Sequence, residues 1–151
     1  MKAANSFKTR FYVLRVDPKD ARDVVQAMCP ECKSTTSCKD LGISGKAKCT
    51  ECKGEPECKL IYMLQLLVKD SASQLNKNFY RVLLYSYGEG KGDTFFGADH
   101  KPCNLYKNKE ELKYIERQLN TMQRFNVWME AILERTNKFF IIKDTQIKSE
   151  L

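Results

Sequence analysis

The sequence predicts a mainly β chain: a small five-stranded barrel, with one α-helix between its third and fourth strands and a metal-stapled ribbon inserted between its first and second. Three observations predict it. Two Cys-x2-Cys pairs, Cys29/Cys32 and Cys49/Cys52, stand sixteen residues apart inside a repeated phrase. Five short runs rich in β-branched and aromatic residues flank that insertion, and one stretch of helical spacing follows the third run. With 151 residues, 42% of them hydrophobic, the chain has material for one modest core.

The first strand is Phe11-Tyr12-Val13-Leu14-Arg15-Val16, ended by Asp17-Pro18 because proline cannot donate the next ladder hydrogen bond. Residues 20–28 read as a short helical turn and a strand leading into the first cysteine pair. After the second pair, residues 60–70 are apolar on both faces, which suits a strand covered on both sides or curled into a barrel. A polar turn at 71–78 joins it to residues 79–85 as a hairpin. The glycine-rich stretch 88–93 lacks a phosphate loop's first glycine and its hydroxyl residue, since Tyr85 and Gly92 stand there; it reads as a surface loop, with Phe95-Phe96-Gly97 packing its far end back. Asn108 and Glu111 have the form of a capping box, and Leu112, Ile115, Leu119 and Met122 make one apolar helical stripe, fit to plug the end of a barrel. Residues 127–134 and 139–144 complete the order as two antiparallel strands.

The cysteine phrase occurs twice: Cys29-Pro30-Glu31-Cys32-Lys33 with Cys38-Lys39, then Cys49-Thr50-Glu51-Cys52-Lys53 with Cys58-Lys59. Paired knuckles at this spacing converge four thiolates on one tetrahedral zinc. Disulfides or unrelated buried thiols do not explain the repetition. Six cysteines in this pattern also approach a binuclear zinc cluster of DNA-binding factors, but the third follows after five residues rather than six, and Lys33-Ser34-Thr35-Thr36-Ser37 is poor in basic residues. Cys38 and Cys58 are therefore expected outside the ligand set, Cys103 is expected to be a core or surface thiol, and His100 lies too far from the knuckles in sequence to replace a ligand.

Five strands with one helix after the third is the order of the OB-fold, a barrel that binds oligonucleotides and also docks proteins. Together with the knuckles, residues 62–70, 79–85 and 95–98 resemble the C-terminal zinc-ribbon OB domain of the replication protein A large-subunit family, telomere-associated relatives included. The resemblance implies one OB domain over residues 8–148 with a zinc ribbon at 24–59, one structural Zn2+, single-stranded DNA and sister OB-fold subunits or telomerase components as partners, and a nuclear location at chromosome ends. It departs at Asp70-Ser71-Ala72-Ser73, where the family turns through glycine, and after Ile147, where the replication subunit continues into a trimerisation helix.

Formal charge is +7, which four thiolates with one Zn2+ lower by about two. The excess is mild and spread along the chain, compatible with nucleic-acid contact and equally with a solvated basic surface. No apolar run of signal-peptide length opens the chain and no uncharged stretch approaches the roughly 18 residues of a membrane span, so a soluble intracellular chain without a membrane partner is expected. Four thiolates saturate zinc and a single histidine offers little acid–base apparatus, so neither an enzyme nor a small-molecule substrate is expected. The metal set is Cys29, Cys32, Cys49 and Cys52. For DNA, Tyr62, Phe79, Tyr80, Tyr85 and Tyr87 are candidate base-stacking residues, and Lys46, Lys48, Lys69 and Arg81 candidate phosphate contacts. A scaffold that docks sister subunits through the helix and terminal hairpin is the alternative.

Overall fold

The computed structural model describes residues 6–42, 46–70, 79–85, 94–124, 128–135 and 140–143. In chain order, β1 (Ser6–Asp17) leads to a 3-10 turn (Ala21–Val24), β2 (Val25–Met28), β3 (Thr35–Ser37), β4 (Lys59–Asp70), β5 (Phe79–Tyr85), α1 (Lys109–Met122), β6 (Trp128–Arg135) and β7 (Phe140–Lys143). Five of these strands form a barrel in the hydrogen-bonded order β1-β6-β7-β5-β4, closed by pairing of β1 with β4. Its ladders are antiparallel except β5 with β7, which is parallel. This is an OB-fold barrel. The glycine-rich stretch 88–93, Tyr87 and the turns at 71–78 and 136–139 lie outside the described residues. Among the described residues no helix is long and apolar enough to cross a membrane.

Strand alternation fills the barrel. Phe11 and Val13 of β1, Leu64, Leu66 and Val68 of β4, Val82 and Leu84 of β5, Met129, Ala131 and Leu133 of β6 and Ile142 of β7 are all buried. β1 begins earlier than the sequence pattern suggests because Phe7 and Thr9 continue the same inward row. A register shift between Val13 and Arg15 then changes the parity, so that Leu14 and Arg15 are both exposed and Val16 is buried.

β4 serves two sheets. Its C-terminal part pairs with β1 and β5, and Lys59 to Tyr62 pair with β2, on whose far side β3 is added. Ile61 and Tyr62, adjacent and therefore on opposite faces, are both about 1% exposed because the strand is covered on both sides here. β3 consists of exposed Thr35, Thr36 and Ser37 and gives no apolar signal in the sequence.

The Asn108 side chain accepts from the Glu111 amide at 3.1 Å, capping α1, and Glu110 and Glu111 occupy its positive first turn. Ile115, Leu119 and Met122 are buried, each contributing about 1.5–3 kcal/mol, and the helix packs on the 3-10 turn and β1. The segment before α1 is fastened at both ends. Gly97, at φ +126°, lets the His100 ring approach so closely that a Cβ there would lie 3.1 Å from it; that ring stacks on Tyr114 at 3.6 Å and bonds Glu111 at 3.0 Å. Buried Asn104 donates to the carbonyls of Leu41 and Gly42 at 3.1 and 2.9 Å, and the Tyr106 hydroxyl donates to Asp23. These bonds hold the inserted segment against the domain.

Candidate metal centre and nucleic-acid face

The first cysteine pair sits at the turn of the β2–β3 hairpin. The Cys29 amide donates to the Ser34 carbonyl and the Lys33 amide to the Cys29 carbonyl, both at 3.0 Å, with Lys33 at φ +64°. This tight turn aims the Glu31 and Cys32 amides at the Cys29 Sγ, at 3.3 and 3.5 Å. The second pair is closed by Cys49 N to Pro56 O at 3.0 Å, Glu55 N to Cys52 O at 3.1 Å and Cys58 N to Ala47 O at 2.8 Å, with Gly54 and Glu55 at positive φ.

Both turns present their sulfurs to one point. The four Sγ atoms of Cys29, Cys32, Cys49 and Cys52 lie within 4.8 Å of one another, and two cross-knuckle distances, Cys29–Cys52 and Cys32–Cys49, are 3.8 Å. Four thiolates about 2.3 Å from a tetrahedral ion have edges of about 3.8 Å, so the residues present fit a metal ion. Two thiolates this close repel one another. The Ser34 hydroxyl and amide draw Cys32 down to about 6, while desolvation and then the neighbouring thiols push Cys52 up to about 12. A cation among the sulfurs removes that conflict.

Cys38 and Cys58 stand outside this set among the described residues. Cys38 is wholly buried in the core, its Sγ 3.6 Å from the Val25 carbonyl, and burial pushes its thiol up to about 11. Cys58 is half-buried beside the second knuckle's backbone bridge. Among the described residues the six cysteines are thus not gathered as a binuclear cluster would need. Half-buried Cys103 accepts weakly from Asn108 at 3.9 Å.

The candidate DNA contacts separate by strand parity. Tyr62 is about 1% exposed, its ring edge-on to Phe96 at 4.8 Å and its hydroxyl bonded to the His100 carbonyl, so it has no face to offer a base. Tyr80 is opposite buried Val68 in register, its ring tilted at 57° to that of Phe140 with centroids 4.9 Å apart; it belongs to the inward row. Burial takes Tyr62 out of the expected stacking set, and Tyr80 is half-buried against the core. Arg81 is exposed and Lys69 half-buried on the outer face of β4 and β5, where the register continues through Met63, Gln65, Leu67 and Leu83. Phe79 is opposite Lys69 and Tyr85 opposite Met63, their side chains lying outside the described residues. Lys46 and Lys48 are exposed on the second knuckle and line a separate small cleft with Glu57.

The outward face of β4 and β5 is itself largely apolar, as residues 60–70, apolar on both faces, suggest. A cleft of about 270 Å3 is lined by Met63, Gln65, Leu83 and Pro18 among others, and it adjoins one of about 500 Å3 where Pro18 and Met63 meet Asp23, Gln26, Ser37 and Tyr106 of the insertion and its anchor. The half-buried outward residues of β4 and β5 carry a period-two signal that marks this row once the inward parity is known.

No protein-family model matches the chain. It is 39% identical over 143 residues to the telomere-binding protein subunit alpha of Stylonychia mytilus, covering 95% of this chain and 26% of that protein. To the subunit alpha of Sterkiella nova it is 37% identical over 147 residues, again covering 26% of that protein. A telomere-binding protein homolog of Euplotes crassus is 33% identical over 60% of the chain. Among solved structures, a crystal structure of fission yeast Pot1 and Tpz1 superposes with a TM-score of 0.59 at 13% identity, covering 95% of this chain and 83% of that one, which shows the shared fold. The chain spans about a quarter of the length of the curated alpha subunits it matches. Over nearly its whole length it is thus a homologue of telomere-binding protein alpha subunits, folded as an OB barrel.

Proposed function

We propose that this chain is a non-catalytic OB-fold domain of a telomere-end-binding complex in the nucleus, fastened by one structural zinc, and that single-stranded DNA lies along the outer face of β4 and β5. The observation that carries the reading is the homology to telomere-binding protein alpha subunits over 95% of the chain. Zinc suits an all-thiolate donor set with tetrahedral edges. Cys29, Cys32, Cys49 and Cys52 would hold it as a cross-link between the knuckles, and four protein ligands leave no open position for substrate or water. On the outer face, Arg81 and Lys69 would follow phosphates while Met63, Leu67 and Leu83 offer apolar surface to bases, giving affinity with limited sequence preference.

The test is a titration of zinc-loaded chain against single-stranded telomeric and unrelated oligonucleotides at two salt concentrations. Affinity that falls with salt supports DNA contact; absence of binding at low salt refutes it. A second reading, docking of sister OB-fold subunits or telomerase components, is favoured by the withdrawal of Tyr62 from the candidate platforms. Under that reading, polar substitutions at exposed apolar positions of the helix or terminal hairpin abolish subunit association and leave oligonucleotide binding unchanged.

A further inference from the structure

A second row on the outside of the barrel is independent of the aromatic residues considered above. On β1 the outward positions are Lys8, Arg10, Tyr12 and Leu14, alternating with buried Phe11 and Val13. Because the barrel closes through β1, Tyr12 is in register with Lys69 of β4 on one side and with Trp128 of β6 on the other. Trp128, Tyr12 and Lys69 therefore run in one line across three strands, and Lys69 continues the line to the β4–β5 face. The Tyr12 ring meets the indole edge-on, centroids 4.8 Å apart at 78°, and the Arg10 guanidinium lies 5.7 Å from the indole centroid. Trp128 is the chain's single tryptophan, and it is 40% exposed.

We propose that Trp128, braced by Tyr12, is a stacking platform for an unpaired base of single-stranded nucleic acid, with Arg10 and Lys69 contacting the flanking phosphates. The inference rests on the DNA reading above and carries the strand's path from β4 and β5 across β1 to β6. An indole offers a broad π-face that any base can use, and the edge-on tyrosine restricts its rotation before ligand arrives. The charge around it decides between nucleic acid and a protein surface. Among the described residues the outward cations are Lys8, Arg10 and Lys69, and the acids on the facing row of β6 are Glu130, opposite Arg10 in register, and the more distant Glu134, opposite Ser6. A protein hot spot is ringed by apolar contacts that exclude water, whereas the described neighbours on β1 and β4 include three cations, the complement of a phosphate backbone.

The experiment is a titration of the full zinc-loaded chain with labelled oligothymidylate at low salt, reading anisotropy and tryptophan emission together. Any quenching has one source. Binding is expected to quench the emission, and Trp128→Ala to weaken affinity by about tenfold to a hundredfold. Trp128→Phe keeps an aromatic face and should lose less, which separates stacking from a folding defect, with thermal unfolding of both variants as a check. Binding without quenching, and with Trp128→Ala unaffected, overturns this inference and leaves the β4–β5 face standing. No binding by the native chain overturns both. Loss of subunit association with oligonucleotide affinity unchanged assigns the indole to protein docking, and also overturns it.

Discussion

Replacing Cys49 by Ser tests how the insertion is held. Residues 30–37 are all exposed, and between 46 and 58 Cys49 alone is buried. Ordering the thirteen residues 46–58 costs about 1–2 kcal/mol each in backbone entropy. The three internal backbone bonds at Cys49, Glu55 and Cys58 return about 1 kcal/mol each. The shortfall is on the order of 10–20 kcal/mol, and structural zinc in small finger peptides supplies about 10–16 kcal/mol, so a bound zinc would offset most of it. Cys49→Ser, or a strong chelator, should therefore let the amides of 46–58 exchange like those of an unfolded chain. Barrel amides around Phe11, Leu66 and Val82, whose side chains are 0% exposed, should stay protected. Hydrogen exchange read by mass spectrometry on loaded, stripped and mutant protein decides it. If residues 46–58 remain protected without metal, the reasoning is wrong; if barrel and insertion lose protection together, they are one cooperative unit.

Elemental analysis should give one zinc per chain, unchanged in Cys38→Ser and Cys58→Ser, because those sulfurs lie outside the set of four; a ratio of two that drops in either variant would restore the binuclear cluster. Tyr62→Phe leaves the His100 carbonyl without its buried donor and should cost about 1–3 kcal/mol in chemical denaturation while oligonucleotide affinity stays the same; lost affinity at unchanged stability would return Tyr62 to the binding face. Arg81→Ala should weaken binding across sequences alike and reduce the salt slope by about one, and an unchanged slope would remove Arg81 from the DNA path.

What the sequence shows most directly is chemistry that depends on spacing alone. The repeated cysteine phrase places four sulfurs without help from the rest of the fold, and the Asn108–Glu111 cap is a local device. Residues 79–85 and the two closing runs are strands because their alternation needs only one buried face. Faces are different, because parity says which residues share a side and only the closed barrel says which side is inside. Tyr80 and Arg81 are on opposite faces in any reading, and it takes the register with buried Val68 to turn Tyr80 inward. The same rule sends Trp128 outward, since Met129, Ala131 and Leu133 point in. β3 escaped notice for a further reason: three hydroxyl residues on an edge strand owe their conformation to β2 and carry no pattern of their own.

The insertion and the proposed DNA face share a covalent element, and that sharing would give the proposed zinc a role beyond tying the knuckles. β4 is one unbroken strand of 12 residues, paired to β2 as far as Tyr62 and to β5 from Met63 onward. Met63, the first residue past the junction, lines both clefts, together with Pro18 at the end of β1. Ser37 of the hairpin that carries the first knuckle lines the larger cleft, and Asp23 and Gln26 complete its wall. Loss of metal frees the hairpin turn but leaves the β2–β4 ladder and the Tyr106–Asp23 bond in place. The wall should therefore loosen at Ser37 and hold at Asp23. Binding that depends on the cleft would weaken without metal by a modest factor, and binding confined to Lys69 and Arg81, near the other end of the β4–β5 hairpin, would not respond. Comparing metal-free and loaded protein on the same oligonucleotide, with barrel protection verified by exchange, locates the ligand along β4: an equal affinity in both forms would put it wholly at the far end.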